Sequence, residues 1–179
     1  ELDCNDNDPY TYPGAAQLTS ATLCMTDADD DGYASQNPSD GALAGTDCDD
    51  FDVYVYAGAA FAESSSACMR DEDGDGYGDD IIWDVEGDDC PTWPGSSNKG
   101  NIYGCTDSDG DGWADELPAN PEPSMIPDVF PFDATETLDT DLDGVGNNAD
   151  TDDDNDAILD IDDAFPLDAM ESVDTDSDG

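Results

Sequence analysis

Apolar residues occur along this chain singly or in short runs, and no run is long enough for a buried helix or a membrane span. The clearest strand-like segments run from Val53 to Tyr56 and from Ile81 to Val85. Gly, Asp and Asn crowd the sequence around them and favour turns. The pattern therefore predicts an irregular, loop-rich fold with short β-strands or hairpins, little helix and no large single core.

The charge of the chain opposes a compact state unless cations complete it. Against 49 Asp or Glu stand only Arg70 and Lys99, with no histidine, and the formal net charge is −47. Screening acts only beyond about 8 Å at physiological ionic strength, so neighbouring carboxylates repel each other. Such a composition is typical of disorder. Three Trp, seven Tyr, five Phe and six Cys argue for order, and therefore for bound metal.

An acidic motif of the form D-x-D-x-D-G recurs along the chain. The copies are DADDDGY at Asp27, DEDGDGY at Asp71, DSDGDGW at Asp107, DTDLDGV at Asp139 and DTDSDG at Asp174, with a variant at Asp152. Such a loop places carboxylates at positions 1, 3 and 5 around a sharp turn, and hard oxygen ligands suit Ca²⁺. A single match could be a solvated acidic turn, but the repetition predicts several calcium sites.

The first three loops need a carboxylate from elsewhere in the chain. Their own predicted ligands, with position 7 contributing a carbonyl, are Asp27, Asp29, Asp31 and Tyr33; Asp71, Asp73, Asp75 and Tyr77; and Asp107, Asp109, Asp111 and Trp113. Position 12, which normally closes the site, is Pro38, Ile82 or Pro118. The candidates for the closing acid are Asp47 with Asp49 or Asp52 for the first loop, Asp89 for the second and Asp128 for the third. An ion held in this way links two chain segments and couples binding to folding.

The later loops can close from within. Their predicted ligands are Asp139, Asp141, Asp143, Val145, Asn147 and Asp150; Asp152, Asp154, Asp156, Ile158, Asp160 and Asp163; and Asp174, Asp176 and Asp178 in the last copy. Ala157 replaces the usual glycine and predicts local strain. For the aromatic residues at position 7 we expect small hydrophobic clusters between adjacent loops, with glycan stacking as the alternative.

The six cysteines predict a disulfide framework. Pairs Cys4–Cys24, Cys48–Cys68 and Cys90–Cys105 would each bound one repeat, and the first two have the same spacing. Disulfides persist outside the cytosol, which predicts a secreted or cell-surface protein. A zinc site is disfavoured because there is no His and no C-x-x-C pair, and a copper site because imidazole and clustered Met are lacking.

The repeats divide the chain near residue 106. Cysteine-closed units are expected at residues 1–26, 27–70 and 71–106, followed by an acidic loop with the Pro-rich insert LPANPEPSMIP at 107–138 and cysteine-free repeats at 139–179. The segments DVFPFDATETLDTD and DAFPLDAMESVDTD align without a gap. The insert predicts a semi-rigid connector.

Two resemblances follow from these motifs. Residues 107–179, with DTDLDGVGNNADTDDDNDAILDIDDAFPLDAMESVDTDSDG, resemble prokaryotic thrombospondin type 3 repeats, although LPANPEPSMIP departs from that pattern. The resemblance implies an extended stalk wound around a row of Ca²⁺ ions in secreted or surface proteins. Residues 1–105, with DCNDNDPYTYPGA and DDCPTWPG, resemble the MopE-type metal-binding motif. That motif is named for copper, whereas the residues present here are typical of calcium ligands.

The leading hypothesis is a calcium-binding extracellular structural protein, acting as a rigid spacer, a stalk or a fibre subunit. An adhesion module that binds glycans or a partner through Ca²⁺ and exposed aromatics is the alternative. We expect no enzyme, since no His is present and the acids are committed to metal; charge sign disfavours nucleic acid, and the lack of apolar spans disfavours membrane insertion. Half a motif at each end leads us to expect either a piece of a longer array or copies that complete each other head to tail.

Overall fold

The computed structural model describes residues 4–79 and 87–174, and within these ranges the chain forms no helix. Its strands are β1 (Thr11–Pro13), β2 (Cys24–Thr26), β3 (Val55–Ala57), β4 (Cys68–Arg70), β5 (Asn98–Lys99) and β6 (Ile102–Tyr103). They pair in sequence order as three separate antiparallel two-stranded sheets. The predicted loop-rich fold is confirmed, and the described residues contain no helix long and apolar enough to cross a membrane.

The two segments expected to form strands have different outcomes. The strand expected at Val53 begins at Val55 and ends at Ala57, because residues 53 and 54 form a turn. The segment from Ile81 to Val85 lies outside the described residues.

The chain separates into two compact units, Glu1–Gly95 and Ser96–Gly179. The first unit holds the sheets β1–β2 and β3–β4. The second holds β5–β6 and the acidic loops that follow it. The division at Gly95 falls inside the third repeat predicted from the cysteine spacing.

The first unit contains the same hairpin twice. Thr11 pairs with Thr26 and Pro13 with Cys24 in one copy; in the other, Val55 pairs with Arg70 and Ala57 with Cys68. Each hairpin ends directly before an acidic loop, at Asp27 or Asp71. The hairpin thereby fixes where the loop begins.

Disulfides anchor both hairpins. Cys4 is bonded to Cys24 and Cys48 to Cys68, with Cα atoms 6.2 Å and 6.3 Å apart, as the spacing predicted. Cys90 and Cys105 are disulfide-bonded as well, so the cysteines include no free thiol. Three disulfides indicate an oxidising compartment.

The apolar core is small. In the first unit its buried apolar side chains are Ala15, Ala16, Met25, Ala34, Ala59, Ala60 and Met69, of which Ala16, Met25 and Ala34 form a cluster. By contrast, Phe51 is 86% exposed and Met170 is 95% exposed. Hydrophobic burial stabilises by roughly 25 cal/mol per Å², so a cluster built on two alanines and a methionine contributes little. The fold must depend on its disulfides and on the acidic loops.

The hairpin of the second unit is closed by a two-residue turn. Gly100 and Asn101 have φ values of 65° and 57° and lie between the paired residues Lys99 and Ile102. Positive φ at both central residues is typical of a type I′ turn, and Gly and Asn are the residues that adopt it most easily. Ile102 is fully buried on this hairpin.

Candidate metal centres

Five acidic loops, at Asp27, Asp71, Asp107, Asp139 and Asp152, share one hydrogen-bonded frame. In each, the amide of position 6 donates to Oδ2 of the aspartate at position 1. The distances are 3.0 Å from Gly32, 2.9 Å from Gly76, 3.0 Å from Gly112, 3.0 Å from Gly144 and 3.1 Å from Ala157. The backbone of each loop therefore curls around its first carboxylate.

Two positions of every loop adopt left-handed backbone conformations. Position 6 has a positive φ at Gly32, Gly76, Gly112, Gly144 and Ala157, and position 4 at Asp30, Gly74, Gly110, Leu142 and Asn155. Only glycine adopts this region without steric cost. Ala157, with a φ of 76°, carries the strain that the sequence predicted.

The amides that follow keep the other two carboxylates turned inward. The amide of position 5 donates to Oδ1 of position 3, and the amide of position 7 donates to Oδ1 of position 5. In the first loop these are the bonds from Asp31 to Asp29, 3.2 Å, and from Tyr33 to Asp31, 2.7 Å. The corresponding bonds recur in all five loops. These bonds use Oδ1 of positions 3 and 5. Oδ2 of Asp29, Asp31, Asp73, Asp109 and Asp154 has no protein partner, whereas Oδ2 of Asp75 accepts from the Gly95 amide and Oδ2 of Asp111 accepts from the Thr137 hydroxyl.

Position 9 caps the amide of position 2. Asp79, Asp115, Asn147 and Asp160 accept this bond through Oδ1 at 2.8 to 3.0 Å. In the first loop position 9 is Ser35, and Asp50 takes over, accepting from the Ala28 amide at 2.9 Å. Sequence analysis missed Asp50, although the serine at position 9 signals that an acid must come from elsewhere.

A closing acid enters three of the loops along the same backbone path. The amides of Asp47, Asp88 and Asp128 donate to the position 8 carbonyls of Ala34, Gly78 and Ala114, at 2.9, 2.8 and 2.7 Å. The three acids are 0%, 8% and 4% exposed. Asp47 and Asp128 are predicted closing residues, whereas the second loop receives Asp88 in the place expected for Asp89. Asp89 was the candidate from the sequence, but the backbone bond to Gly78 brings Asp88 to the loop.

The first loop gathers five carboxylates. Oxygen atoms of Asp27, Asp29 and Asp50 lie within 4.8 Å of one another, and so do those of Asp29, Asp31 and Asp47. Burial, followed by the charges of neighbouring aspartates, raises the pKa of Asp31 to about 7 and that of Asp47 to about 6. A bound cation favours the ionised form of crowded carboxylates of this kind.

The second loop has the same character. Asp71, Asp73 and Asp75 form a triad within 4.8 Å. Burial, followed by the charges of Asp75 and other acids, raises the pKa of Asp88 to about 7. Glu63, a residue that the sequence did not single out, accepts from the amide of Gly78, position 8 of this loop, at 2.6 Å. Burial, followed by the charges of Asp71 and Asp75, raises its pKa.

In the second unit, the loop at Asp107 joins its closing residue as expected. Asp107, Asp109 and Asp111 form a triad within 4.8 Å. Burial, and then the charges of Asp111 and Asp109, raise the pKa of Asp128. Three of the predicted carboxylates of this loop are therefore brought together, and the backbone bond to Ala114 holds Asp128 against the same loop.

The loop at Asp139 brings three of its predicted aspartates together, and Asp150 accepts from the amides of Thr151 and Asp152 at 2.6 and 3.1 Å. Asp139, Asp141 and Asp143 form a further triad. In the loop at Asp152, burial, followed by the charges of Asp156, Asp163 and Asp152, raises the pKa of Asp154, and Oδ2 of Asp154 and Oδ2 of Asp163 are both buried. Asn147 and Asp160, expected as ligands, each use one side-chain oxygen to cap position 2.

Many carboxylate oxygens in these loops are buried without a hydrogen-bond partner. They are Oδ2 of Asp29, Asp31, Asp47, Asp73, Asp88, Asp109, Asp154 and Asp163, Oδ1 of Asp139, Asp152 and Asp153, and Oε2 of Glu63. A buried charged oxygen without a partner is costly, so such groups pair with cations or coordinate metals. These atoms are the observation that best fits a divalent cation in each loop.

The two basic side chains do not satisfy these oxygens. Arg70 pairs with Asp52, Glu72 and Asp79. Lys99 donates to the carbonyl oxygen of Asp111. No basic side chain pairs with a triad carboxylate in the part of the chain that the structure describes.

Some predicted ligands lie apart from the triads. Asp52 binds Arg70 at 3.1 Å, and the amide of Asp49 donates to Asp47. Asp89 and Asp174 are in none of the clusters described above, and Asp176 and Asp178 lie outside the described residues. Carbonyl ligation by position 7 stays a prediction for Tyr33, Tyr77, Trp113, Val145 and Ile158.

The side chain at position 7 of the first loop packs against the next hairpin. The rings of Tyr33 and Tyr56 stack with centroids 4.1 Å apart and an interplanar angle of 14°. The expected hydrophobic contact between repeats is therefore present for Tyr33.

Comparisons of this chain with protein-family models, curated proteins and solved structures found no match.

Proposed function

We propose that the chain is a calcium-binding structural repeat protein of the extracellular space, a spacer, stalk or fibre subunit related in design to thrombospondin type 3 repeats. The observation that carries the proposal is the set of five loops with one hydrogen-bonded frame and buried, unpartnered carboxylate oxygens. A formal net charge of −47 makes cations part of the folded state.

Calcium fits these ligands better than other common metals. The donors are oxygen atoms only, since the chain has no His and no free thiol. Zn²⁺ and Cu²⁺ favour sites with nitrogen or sulfur ligands, and Mg²⁺ prefers to keep several waters. A crowded set of carboxylates on a curled loop suits the flexible coordination of Ca²⁺.

A structural role is favoured over a catalytic one. In the first three loops the closing acids Asp47, Asp88 and Asp128 come from beyond the loop itself, so an ion there would tie two segments together. The core is too small to hold these segments without such ties. The carboxylates are committed to this role, and we propose no catalytic activity.

Removal of calcium tests this function. Ion counting by mass spectrometry should find several Ca²⁺ per chain, and chelation should expose the backbone to proteases in both units while leaving the disulfides intact. Addition of Ca²⁺ should restore protection, whereas Mg²⁺ at the same concentration should restore less. A chain that binds no Ca²⁺, or whose protease pattern is unchanged by chelation, would contradict the proposal.

A glycan- or partner-binding role is the second candidate. A cavity of about 380 Å³ in the first unit is lined by Tyr10, Phe51, Asp8, Asp49 and Asp50, among others. Apolar rings beside carboxylates are suited to sugar binding. Glycan-array binding that is lost in Phe51→Ala, with calcium content unchanged, would favour this role.

A further inference from the structure

One structural position differs in charge among the three loops that follow a hairpin. It lies eight residues before the loop and is occupied by Thr19, Glu63 and Lys99. Thr19 and Lys99 donate their amides to the position 6 carbonyls of Gly32 and Gly112, at 3.2 and 3.0 Å. In the second loop the corresponding carbonyl accepts from the neighbouring amide, that of Ala62.

The side chains of Thr19 and Glu63 have the same partner. Thr19 Oγ1 accepts from the amide of Ala34 at 3.0 Å, and Glu63 Oε1 accepts from the amide of Gly78 at 2.6 Å. Ala34 and Gly78 are both position 8 of their loops. The two side chains therefore occupy equivalent places, and Glu63 adds a second oxygen with a negative charge.

That second oxygen has no protein partner. Oε2 of Glu63 is buried and unpaired, and its strongest charged neighbours are Asp71 and Asp75. Asp88, which is 8% exposed, also has a buried, unpaired Oδ2 and faces Asp75 and Asp73. Two unpaired oxygens from outside the loop thus lie beside one triad.

Lys99 places the opposite charge beside the third loop. Its Nζ donates to the carbonyl oxygen of Asp111, the position 5 residue. Its stem packs on the loop, since a Cβ on Gly112 would lie 3.2 Å from Lys99 Cε. A positive charge that is hydrogen-bonded to the loop backbone repels a divalent cation bound in the same loop.

We propose that the residue at this position sets the ion affinity of each loop. Glu63 is an additional ligand of the ion held by Asp71, Asp73 and Asp75. Lys99 weakens the binding of the ion held by Asp107, Asp109 and Asp111. Thr19 leaves the first loop without either effect. The inference rests on the proposed calcium binding and adds an order of filling, in which the loop at Asp71 fills before the loop at Asp107. Ligand charge is a principal determinant of affinity in such loops.

Calcium titration of the full chain by amide NMR tests the order. The amides of Gly32, Gly76 and Gly112 each donate to the first carboxylate of their own loop and so report the three sites separately. In the unmodified chain Gly76 should respond at a lower Ca²⁺ concentration than Gly112. Glu63→Gln keeps an oxygen for the Gly78 amide but removes the charge, and should raise the Gly76 midpoint by about tenfold.

The reciprocal variant acts on the other loop. Lys99→Thr removes a positive charge that repels the ion and should lower the Gly112 midpoint by about tenfold, while the midpoint of Gly32 stays unchanged in both variants as an internal control. A Gly76 midpoint unaffected by Glu63→Gln, or a Gly112 midpoint unaffected by Lys99→Thr, would overturn the inference while leaving calcium binding intact. If none of the three amides responded to Ca²⁺, the proposed function itself would fail.

Discussion

Ala157 offers a measurement of the strain that a loop of this kind tolerates. Its φ of 76° lies in the left-handed region, where position 6 of the other four loops is glycine. A side chain in this region costs roughly 1–2 kcal/mol. Replacement of Ala157 by glycine removes this strain from the folded state. Glycine also makes the unfolded chain more flexible, which reduces the gain in stability by about 0.4–1 kcal/mol. We therefore expect Ala157→Gly to stabilise the calcium-loaded chain by about 1 kcal/mol, the net of these two effects.

The reverse substitution at Gly144 isolates the same effect in the neighbouring loop. Gly144 has a φ of 93°, and no atom lies within 4 Å of the place where its Cβ would stand. Gly144→Ala therefore introduces backbone strain without a steric clash, and should destabilise by about 1 kcal/mol. The same substitution at Gly76 would not isolate backbone strain, because a Cβ there would lie 2.6 Å from the ring of Phe61 and add a steric clash.

Thermal unfolding at saturating Ca²⁺ measures both effects. A change of about 1 kcal/mol should move the midpoint by roughly 2–4 °C in a chain of this size, upward for Ala157→Gly and downward for Gly144→Ala. Ala149→Gly, at an exposed position with ordinary φ, is the matched control and should not raise the midpoint. If Ala157→Gly left the midpoint unchanged or lowered it, or if Gly144→Ala were neutral, strain at position 6 would be refuted.

Three further predictions concern charge and packing. Asp47→Asn removes a buried charge and should therefore stabilise the ion-free chain above pH 6, but it should destabilise the calcium-loaded chain. Chemical denaturation with and without chelator measures both effects, and Asp49→Asn is the control. The ion-free chain should lose stability as pH rises from about 4 to 7. In the folded state the pKa values of Asp31 and Asp88 are about 7, above the ordinary value of 3.8, so the folded chain binds more protons than the unfolded chain over this range. A stability that increased between these pH values would contradict the prediction. Tyr56→Ala should cost about 1–2 kcal/mol, since Tyr56 is half-buried and loses its ring stacking on Tyr33. Tyr56→Phe should keep most of that stability in the same denaturation.

The loops and their carboxylates could be predicted from the sequence because their chemistry is local. Spacing fixes positions 1, 3 and 5, and the glycine at position 6 marks the left-handed turn. The cysteine spacing likewise indicated Cys4–Cys24 and Cys48–Cys68. Ala157 was recognisable as strained because it replaces a glycine of known purpose.

The contributions from outside each loop were harder to predict. The amide of Asp88 donates to the carbonyl of Gly78, and the carboxylate of Asp50 accepts from the amide of Ala28; no dipeptide motif encodes either contact. Glu63 lies eight residues before its loop, and only the hairpin brings it back to the site. Long-range register depends on the length of the intervening turns, so neighbouring acids such as Asp88 and Asp89 cannot be distinguished by spacing alone.

The positions of the closing acids in the sequence also determine where repeats can be added or removed without loss of a metal site. Because the loop at Asp71 needs Glu63 from before it and Asp88 from after it, its working unit overlaps the repeat that the motif spacing defines. A duplication or deletion cut at the first aspartate of a loop would separate a loop from its partners on one side. Cuts that retain a site must fall between a closing acid and the next hairpin, so the modular boundary of this protein lies in those short connections.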